Sequence, residues 1–320
     1  MNKVSVHIVT YNSENDIAQC LEALNLQSYP INEIVVVDNN STDGTIQKVQ
    51  TLNHITLIQN EKNTGFAEAH NQAIQETDTD YVLVLNPDVI LYPDYIRFLV
   101  SRMEESALIG MATGKLYRSV EDNILDSTGI IMKKNRRAID RGAGDYDDGQ
   151  YDSISEVFGV SGAAAMYKRK MIQDISYNNE FYDQAFFAYK EDVDVCWRAR
   201  LAGWKGEFVP LAVGLHKRGW SEKRLRKQVP VKIRQHSYIN RYFYLFKNDS
   251  LKGLFIHFPF IFVYEMTSFC YAMVREPEIL KAWMLFIKNL SGMWKKRKAI
   301  HLKASVAKSQ NVIKYFQGIW

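Results

Sequence analysis

Short apolar runs alternate with amphipathic stretches through the first hundred residues of the chain. Val4 to Val9, Ile34 to Val37, Ile55 to Ile58 and Tyr81 to Leu85 are rich in β-formers and bounded by polar turns. That is the pattern of strands buried on both faces of a parallel sheet. The segments between them carry helical spacing. The first begins after Asn12 or Ser13, either of which can cap a helix, and turns Ile17, Cys20, Leu21, Leu24 and Leu26 toward the sheet. The second follows the turn from Asp38 to Gly44 and runs through Leu52; the third opens at Asn63-Thr64-Gly65 and reaches about Glu76. Pro93 suits the first turn of a fourth, ending near Glu105. Strand and helix in alternation predict an α/β class built from βαβ units.

Beyond Leu108 the period changes. Shorter strands and hairpin-like turns are expected to Met132, and Arg136 to Tyr151 is polar and rich in Gly and Asp, which predicts a flexible surface loop. Ala163 to Tyr167 reads as a strand, Glu191 to Ala202 as a helix stopped by Gly203, and Lys205–Val209 and Ala212–Leu215 as two short strands parted by Pro210. From about Val229 the pattern is helical, which divides the chain into residues 1–228 and a helical region, 229–320. Leu251 to Val274 has transmembrane length, but Lys252, His257, Pro259 and Glu265 interrupt it, so a spanning helix is disfavoured. Trp283, Phe286, Ile287, Leu290, Met293 and Trp294 recur at helical spacing just before Lys295-Lys296-Arg297-Lys298. An aromatic face beside a basic cluster predicts a helix lying on an anionic bilayer; the alternative is a helical hairpin packed on the body or on a second copy, as in a homo-oligomer.

Charge sharpens that division. From Lys217 onward 21 Lys and Arg face 5 Asp and Glu, a charge of +16, which leaves −12 on the first 216 residues of a chain whose total is +4. A basic tail suits nucleic acid or an anionic membrane, and the aromatic residues beside the charge favour the membrane over nucleic acid. Cys20, Cys196 and Cys270 form no CxxC pair and no His cluster accompanies them, which argues against a zinc site and for reduced thiols in the cytoplasm. No long apolar segment follows Met1, so no signal peptide is expected.

The candidate chemistry begins at Asn86-Pro87-Asp88. Proline cannot donate to a central ladder, so the fourth strand must end there and leave Asp88 on the loop at its carboxyl end, where ligands of open α/β sheets bind. One carboxylate at that edge suffices to hold Mg²⁺ against substrate phosphates; the alternative is that Asp88 only starts a turn. Asp78-Thr79-Asp80 has the spacing of a metal motif but precedes the strand, so it belongs at the opposite edge. Four loops converge by topology: Thr10-Tyr11-Asn12, Asp38, Asn63-Thr64-Gly65-Phe66 and Asn86-Pro87-Asp88. Together they offer an aromatic face, an acceptor for a base N–H, a backbone that a ligand can approach, and a metal ligand, as a nucleoside diphosphate requires. Taken singly, Asp38 also fits a turn and Tyr11 a packing role. A second group, Glu191, Asp192 and Asp194, opens a helix. Acids are stabilised there by the helix dipole, and Asp194 with Arg198 makes an i,i+4 pair, yet three acids exceed what a cap needs, and a positioned carboxylate can remove a proton from an attacking hydroxyl. His216 ends a strand beside Lys217-Arg218-Gly219-Trp220, where it can bind a metal or a phosphate.

These ordered motifs resemble family 2 glycosyltransferases, in particular their bacterial rhamnosyltransferase branch. The resemblance rests on Val9-Thr10-Tyr11-Asn12, Val37 to Thr45, Asn63 to Ala67, Leu85 to Asp88, Ser161-Gly162-Ala163 and Glu191 to Arg198, with Arg241, Lys247 and Asn248 on a later helix. It spans about residues 3 to 248. It implies a GT-A fold, a mixed, mostly parallel Rossmann-like sheet flanked by helices, here with a C-terminal helical extension. It also implies a nucleotide-sugar donor, Mg²⁺ or Mn²⁺, and inversion at the anomeric carbon. Carried over by position, Thr10, Tyr11, Asn12, Asp38, Asn63, Gly65 and Asn86 would hold the nucleotide, and Asp88 and His216 the metal. Asp192 would be the base, with Glu191 and Asp194 as supporting acids, and Gly162 and Trp220 would border the donor and acceptor. Where many members have Asp-X-Asp this chain has Asn86-Pro87-Asp88. The rhamnosyltransferase branch often shares that change, which favours dTDP-rhamnose as donor over UDP-hexose or galactofuranose. A lipid-linked saccharide acceptor would place the enzyme on the cytoplasmic face of the cell membrane. Two rival readings fit the chain less well. A sugar-phosphate nucleotidyltransferase would open with a Gly-rich basic loop that this chain lacks, and a non-catalytic membrane scaffold is opposed by the intact Asp88 and Asp192.

Overall fold

The computed structural model describes residues 1–51, 54–218, 229–304 and 312–319. The four apolar runs form β1 (Val4–Thr10), β2 (Glu33–Asp38), β3 (Ile55–Gln59) and β4 (Tyr81–Leu85), joined by α1 (Ile17–Asn25), α2 (Thr45–Gln50) and α3 (Gly65–Glu76). Their parallel order is β4-β1-β2-β3. Every residue of β4 is buried, and its alternation feeds two cores. Leu83 and Leu85 meet Leu21 and Leu24 of α1 on one face, while Val82 and Val84 meet Ala67 and Ile74 of α3 on the other. The strand therefore needs apolar residues at every position, as its unbroken run foretold.

After β4 the chain turns through β5 (Val89–Leu91) into α4 (Tyr95–Glu104) and then β6 (Ile109–Ser119), β7 (Ile124–Ser127), β8 (Ile130–Met132), β9 (Ala138–Asp140), β10 (Glu156–Val157) and β11 (Ala164–Lys168). Next come α5 (Arg169–Ile175), α6 (Glu191–Ala202) and β12 (Lys205–His216). β11 lies antiparallel between β4 and β6, and β5 pairs antiparallel with β12, which completes a mixed ten-stranded sheet among the described residues. The helical region consists of α7 (Val231–Asn248), α8 (Leu251–Ile256), α9 (Phe258–Arg275) and α10 (Ala282–Lys303).

Several expectations need correction. Asn12 and Ser13 do not cap α1, which starts at Ile17 behind Asp16. Their polar groups serve the neighbouring loop instead: Asn12 N–H donates to Ser41 Oγ at 2.9 Å, Asn12 Oδ1 accepts from Thr42 N–H at 2.8 Å, and Ser13 N–H donates to Thr45 Oγ1 at 2.8 Å. The end of the second helix at Leu52 falls outside the described residues. Lys205 to His216 is one strand, not two, because a register shift between Val209 and Val213 absorbs Pro210. The segment from Arg136 to Tyr151 is no loose loop. Arg136 is fully buried, with its Nε 2.7 Å from Asp249 Oδ2, and Lys115 reaches Asp147 at 2.8 Å. Arg136 and Asp147 are internal ion-pair partners while Arg137, Asp145 and Asp148 are solvated, a difference that composition alone does not show. Asp78 to Asp80 do lie at the opposite edge, where Asp80 Oδ2 accepts from Lys3 N–H at 2.8 Å.

The aromatic face of α10 is divided: Ile287, Leu290 and Trp294 stay exposed, and the rest goes inward. Trp283 packs on Tyr242 with centroids 4.6 Å apart, Phe286 stacks on Phe243 at 5.7 Å, and Met293 is buried. Within the basic cluster, Lys296 pairs with Glu180 and Asp183, each at 2.7 Å. Lys247 of α7 likewise reaches Asp183 and Asp194. Part of the charge division along the sequence is thus self-complementarity: the basic tail is docked on the acidic body. No helix among the described residues is long and apolar enough to cross a membrane.

Candidate active site

Register carries the four loops to one edge. Thr10 pairs with Asp38 and Asp38 with Gln59, while Ile8 lies beside Leu85. Along that edge runs a cleft of two lobes that share Val9, Tyr11, Asn86, Tyr189, His216, Arg218 and Ile233 of α7. The larger, about 880 Å³, is bordered in addition by Asn12, Asp88 and, from α7, Ser237. The smaller, about 420 Å³, is bordered by Thr10, Asn63, Gly65, Gly162, Glu191 and Asp192. Trp220 lies outside the described residues.

At the ends of β1, β2 and β3, Asp38 is buried and closes its own turn. Its carboxylate accepts from Thr10 Oγ1 at 2.8 Å, Ser41 Oγ at 2.5 Å and Ser41 N–H at 2.8 Å. Tyr11 is exposed at the rim. Asn63 Oδ1 accepts from Gly65 N–H at 2.9 Å, and Gly65 has φ +87°. A Cβ at Gly65 would lie 2.5 Å from the Phe187 carbonyl oxygen, so the close approach that requires glycine is made by the chain itself rather than by a ligand. Asn39, whose place in a polar turn gives no separate signal in the sequence, ties these loops together. Its Oδ1 accepts from Asn60 Nδ2 at 3.0 Å and its Nδ2 donates to the Gly65 carbonyl at 3.2 Å.

At the head of β5, Asp88 Oδ1 stands 3.3 Å from His216 Nε2. His216 reaches that position because β12 pairs with β5 in a register that sets it opposite Val89. Its Nδ1 is 2.7 Å from Oδ2 of Asp126, a buried residue of β7 that also pairs with Arg218 at 2.5 Å. Burial pulls the imidazole down, but the hydrogen bonds to Asp126 and Asp88 outweigh it and push its pKa up to about 9. Asp126 escaped sequence reading; an isolated Asp in a short strand gives no signal. No group of three or more His, Cys, Asp or Glu suited to a metal occurs among the described residues. The donor set nevertheless fits a divalent ion that takes most of its oxygens from phosphates and water. Asp126 holds one ring nitrogen and points the other at Asp88, the arrangement that orients a metal-ligating histidine.

Across the cleft, Asp192 sits in the first turn of α6. The entry to that turn is strained: Phe187, Tyr189 and Lys190 have φ of 60°, 73° and 68°. Such conformations in non-glycine residues cost about 1–3 kcal/mol each and persist only where the surroundings enforce them. Asn240 of α7 does so, sharing its side-chain N–H groups among the carbonyls of Phe186, Ala188 and Tyr189 at 2.7–2.9 Å. Asp192 Oδ2 accepts from Gly162 N–H at 3.1 Å. Burial raises its pKa to about 6, against the opposing hydrogen bond from Gly162. Glu191 is buried, its Oε2 has no hydrogen-bond partner, and burial followed by the Asp192 charge pushes its carboxyl well above the usual range. Asp194 is not brought to the cleft. It turns into the core, with Arg198, Lys247 and Asn248 at 2.8–2.9 Å.

Residues 5–176 match the family described as Glycosyl transferase family 2, which is more than half of the chain. The chain belongs to glycosyl transferase family 2. Among relatives of this family 2 member, the poly-beta-1,6-N-acetyl-D-glucosamine synthase of Staphylococcus aureus (strain MSSA476) is 24% identical over 218 residues, covering 64% of this chain and 48% of the synthase. The N-acetylglucosaminyl-diphospho-decaprenol L-rhamnosyltransferase of Mycobacterium tuberculosis (strain CDC 1551 / Oshkosh) is 26% identical over 239 residues, covering 68% and 76%. The chain spans about half the length of the synthase relatives it matches. Two solved structures share its fold. The mannosyltransferase PcManGT from Pyrobaculum calidifontis, in complex with GDP-Man and Mn²⁺, gives a TM-score of 0.57 at 16% identity over 98% of this chain and 84% of that one. S. aureus TarS gives 0.56 at 18% over 98% and 54%. The family 2 member therefore has the GT-A fold, with a helical region following it.

Proposed function

We propose that this chain is an inverting glycosyltransferase that moves a sugar from a nucleotide-sugar donor to a hydroxyl of a lipid-linked glycan acceptor in cell-surface polysaccharide synthesis. The favoured donor is dTDP-rhamnose. One observation carries the reading: a carboxylate with a raised pKa, Asp192, faces the Asp88–His216 pair across a single cleft. In this scheme Thr10, Tyr11, Asn12, Asp38, Asn63, Gly65 and Asn86 hold the nucleotide. Asp88 and His216 would hold Mg²⁺ or Mn²⁺, whose charge would stabilise the departing diphosphate. Backbone N–H groups hold both oxygens of Asp192, Gly162 on Oδ2 at 3.1 Å and Val193 on Oδ1 at 2.7 Å, and the carboxylate so oriented takes the proton of the acceptor hydroxyl through a remaining lone pair. One displacement inverts the centre, and no covalent nucleophile is required.

The donor assignment draws support from the M. tuberculosis relative, whose name couples L-rhamnosyl transfer to a diphospho-decaprenol acceptor. A second reading, an N-acetylglucosamine donor, draws support from the S. aureus synthases. A panel of dTDP-rhamnose, UDP-N-acetylglucosamine and UDP-hexoses, assayed for nucleoside diphosphate release with Mg²⁺, with Mn²⁺ and with chelator, decides between them. Release from dTDP-rhamnose alone, abolished by chelator, is expected. Silence with every donor overturns the enzymatic reading in favour of a scaffold. An acceptor on a lipid diphosphate also sets the place of work, at the inner face of the cell membrane.

A further inference from the structure

Helix α9 is apolar and hardly covered. Of its 18 residues only Ala272 is buried, and Phe258, Phe262, Val263, Met266, Tyr271 and Val274 are exposed large hydrophobics. Phe255 and Ile256 of α8 and Met284 and Ile287 of α10 are exposed as well. An apolar area of this extent on a folded chain marks a docking surface.

The charges around it identify the occupant. Four acids occur in the described part of the helical region, and each is paired within the molecule: Asp249 with Arg136, Glu265 with Arg241, and Glu276 and Glu278 with Arg234. Glu265, the one acid on α9, also accepts from Tyr242 at 2.7 Å, so it faces the body. Arg234, Arg241, Lys247 and Lys296 are taken up by ion pairs within the molecule, but other cations of the region point outward. Lys252, Arg275, Lys281, Lys288, Lys295 and Lys298 are all exposed. The region thus presents an apolar, aromatic surface edged by positive charge, with its negative charge turned inward. We infer that α8 and α9, with the outer side of α10, form the surface by which this chain lies on an anionic lipid bilayer. Apolar side chains enter the headgroup boundary and the flanking Lys and Arg meet the lipid phosphates. This deepens the membrane placement proposed above and widens its address: Trp283 and Phe286 of α10 are spent on α7, and the exposed face belongs to α8 and α9 together with Ile287, Leu290 and Trp294 of α10.

The chain carries its own probe. Cys270 is exposed on α9, whereas Cys20 and Cys196 are buried, so a water-soluble maleimide reads Cys270. Its labelling should slow at least about tenfold with phosphatidylglycerol-containing vesicles and change little with pure phosphatidylcholine, and high salt should reverse part of the protection. The exposed pair Phe258→Ser and Phe262→Ser should abolish protection with an unchanged circular dichroism spectrum. Lys252→Glu with Arg275→Glu should weaken it and leave every apolar residue in place. Equal labelling with and without vesicles overturns the inference, as does full protection of the Phe258→Ser/Phe262→Ser variant. Slow labelling without lipid that depends on protein concentration overturns it in favour of a second copy. No sugar transfer is measured, so failure here leaves the transferase reading intact, and a silent donor panel leaves this one intact.

Discussion

Asp192 and Asp194 stand two residues apart on one helix and live in opposite electrostatic worlds. Asp192 faces the cleft with backbone N–H groups from Gly162 and Val193 and no cation paired to it among the described contacts, and burial lifts its pKa to about 6. Asp194 faces the core. Burial would raise it, but Lys247 and Arg198 overcome that and hold its carboxyl below the usual range. A helix turns about 100° per residue, so a spacing of two sends the side chains to different sides. The first acid is left poised to accept a proton, and the second is locked as an anion. The pair teaches that an acidic cluster has no single role; its members are sorted by which cations the tertiary fold delivers to each.

The largest expected effect tests the cleft side. Asp192→Asn keeps an oxygen for the Gly162 N–H but cannot accept a proton, so turnover should fall about 10²- to 10⁴-fold. Donor binding, measured by calorimetry, should change little. Turnover above about a tenth of wild type would move the role to Glu191.

Next comes the core side. Lys247 lies buried between Asp183 and Asp194. Lys247→Met removes the cation and leaves two buried carboxylates short of charge, which should cost about 3–5 kcal/mol. Chemical denaturation should show this as a lower midpoint at unchanged slope. A midpoint unchanged from wild type would mean that Lys296 and Arg198 hold the acids by themselves, and the contrast between the two faces would weaken.

The sequence conveyed the cleft side better than the core side for a definite reason. Parallel βαβ topology sends every strand end to one edge, so Thr10, Asp38, Asn63 and Asp88 could be grouped from local patterns. Gly203, with φ of 92°, ended α6 where the pattern put it. What escaped notice depends on pairings distant along the chain. Asp126 meets His216 across 90 residues, Asn240 meets Tyr189 across 51, and Arg136 meets Asp249 across 113. None of these has a local signature, and by composition alone Arg136 looks like a solvated loop residue. The same blindness made the +16 tail look like free charge, when Lys247 and Lys296 are committed to acids of the body.

A smaller effect probes the other wall of the cleft. Asp126→Asn would present an amide to His216 Nδ1, no longer fixing the ring with Nε2 ready for an ion. Loss of such an orienting carboxylate lowers metal affinity about 10- to 100-fold. Mn²⁺ titration followed by electron paramagnetic resonance, without any donor, should show the drop, while Asp88→Ala should abolish specific Mn²⁺ binding. Wild-type affinity in Asp126→Asn would make Asp126 a structural ion-pair partner of Arg218 alone.

The smallest expected effect runs the other way, toward stability, and again separates the two acids. Because the native pKa of Asp192 is about 6 against an ordinary 3.8, the native state binds its proton more tightly than the unfolded state does. The stabilisation from this group is therefore complete below about pH 4 and is lost as pH rises through about 6. Above that, the ionised carboxylate weighs on the fold by about 1–3 kcal/mol. Asp192→Asn lacks this penalty. It should melt above wild type at pH 8 and converge with it near pH 4, while turnover of the wild-type enzyme rises through pH 6 as the base ionises. Asp194→Asn should do the reverse, since its anion is stabilised: it should melt below wild type at pH 8. If Asp192→Asn and Asp194→Asn shift the melting temperature in the same direction at pH 8, the two carboxylates do not differ in the way their surroundings imply.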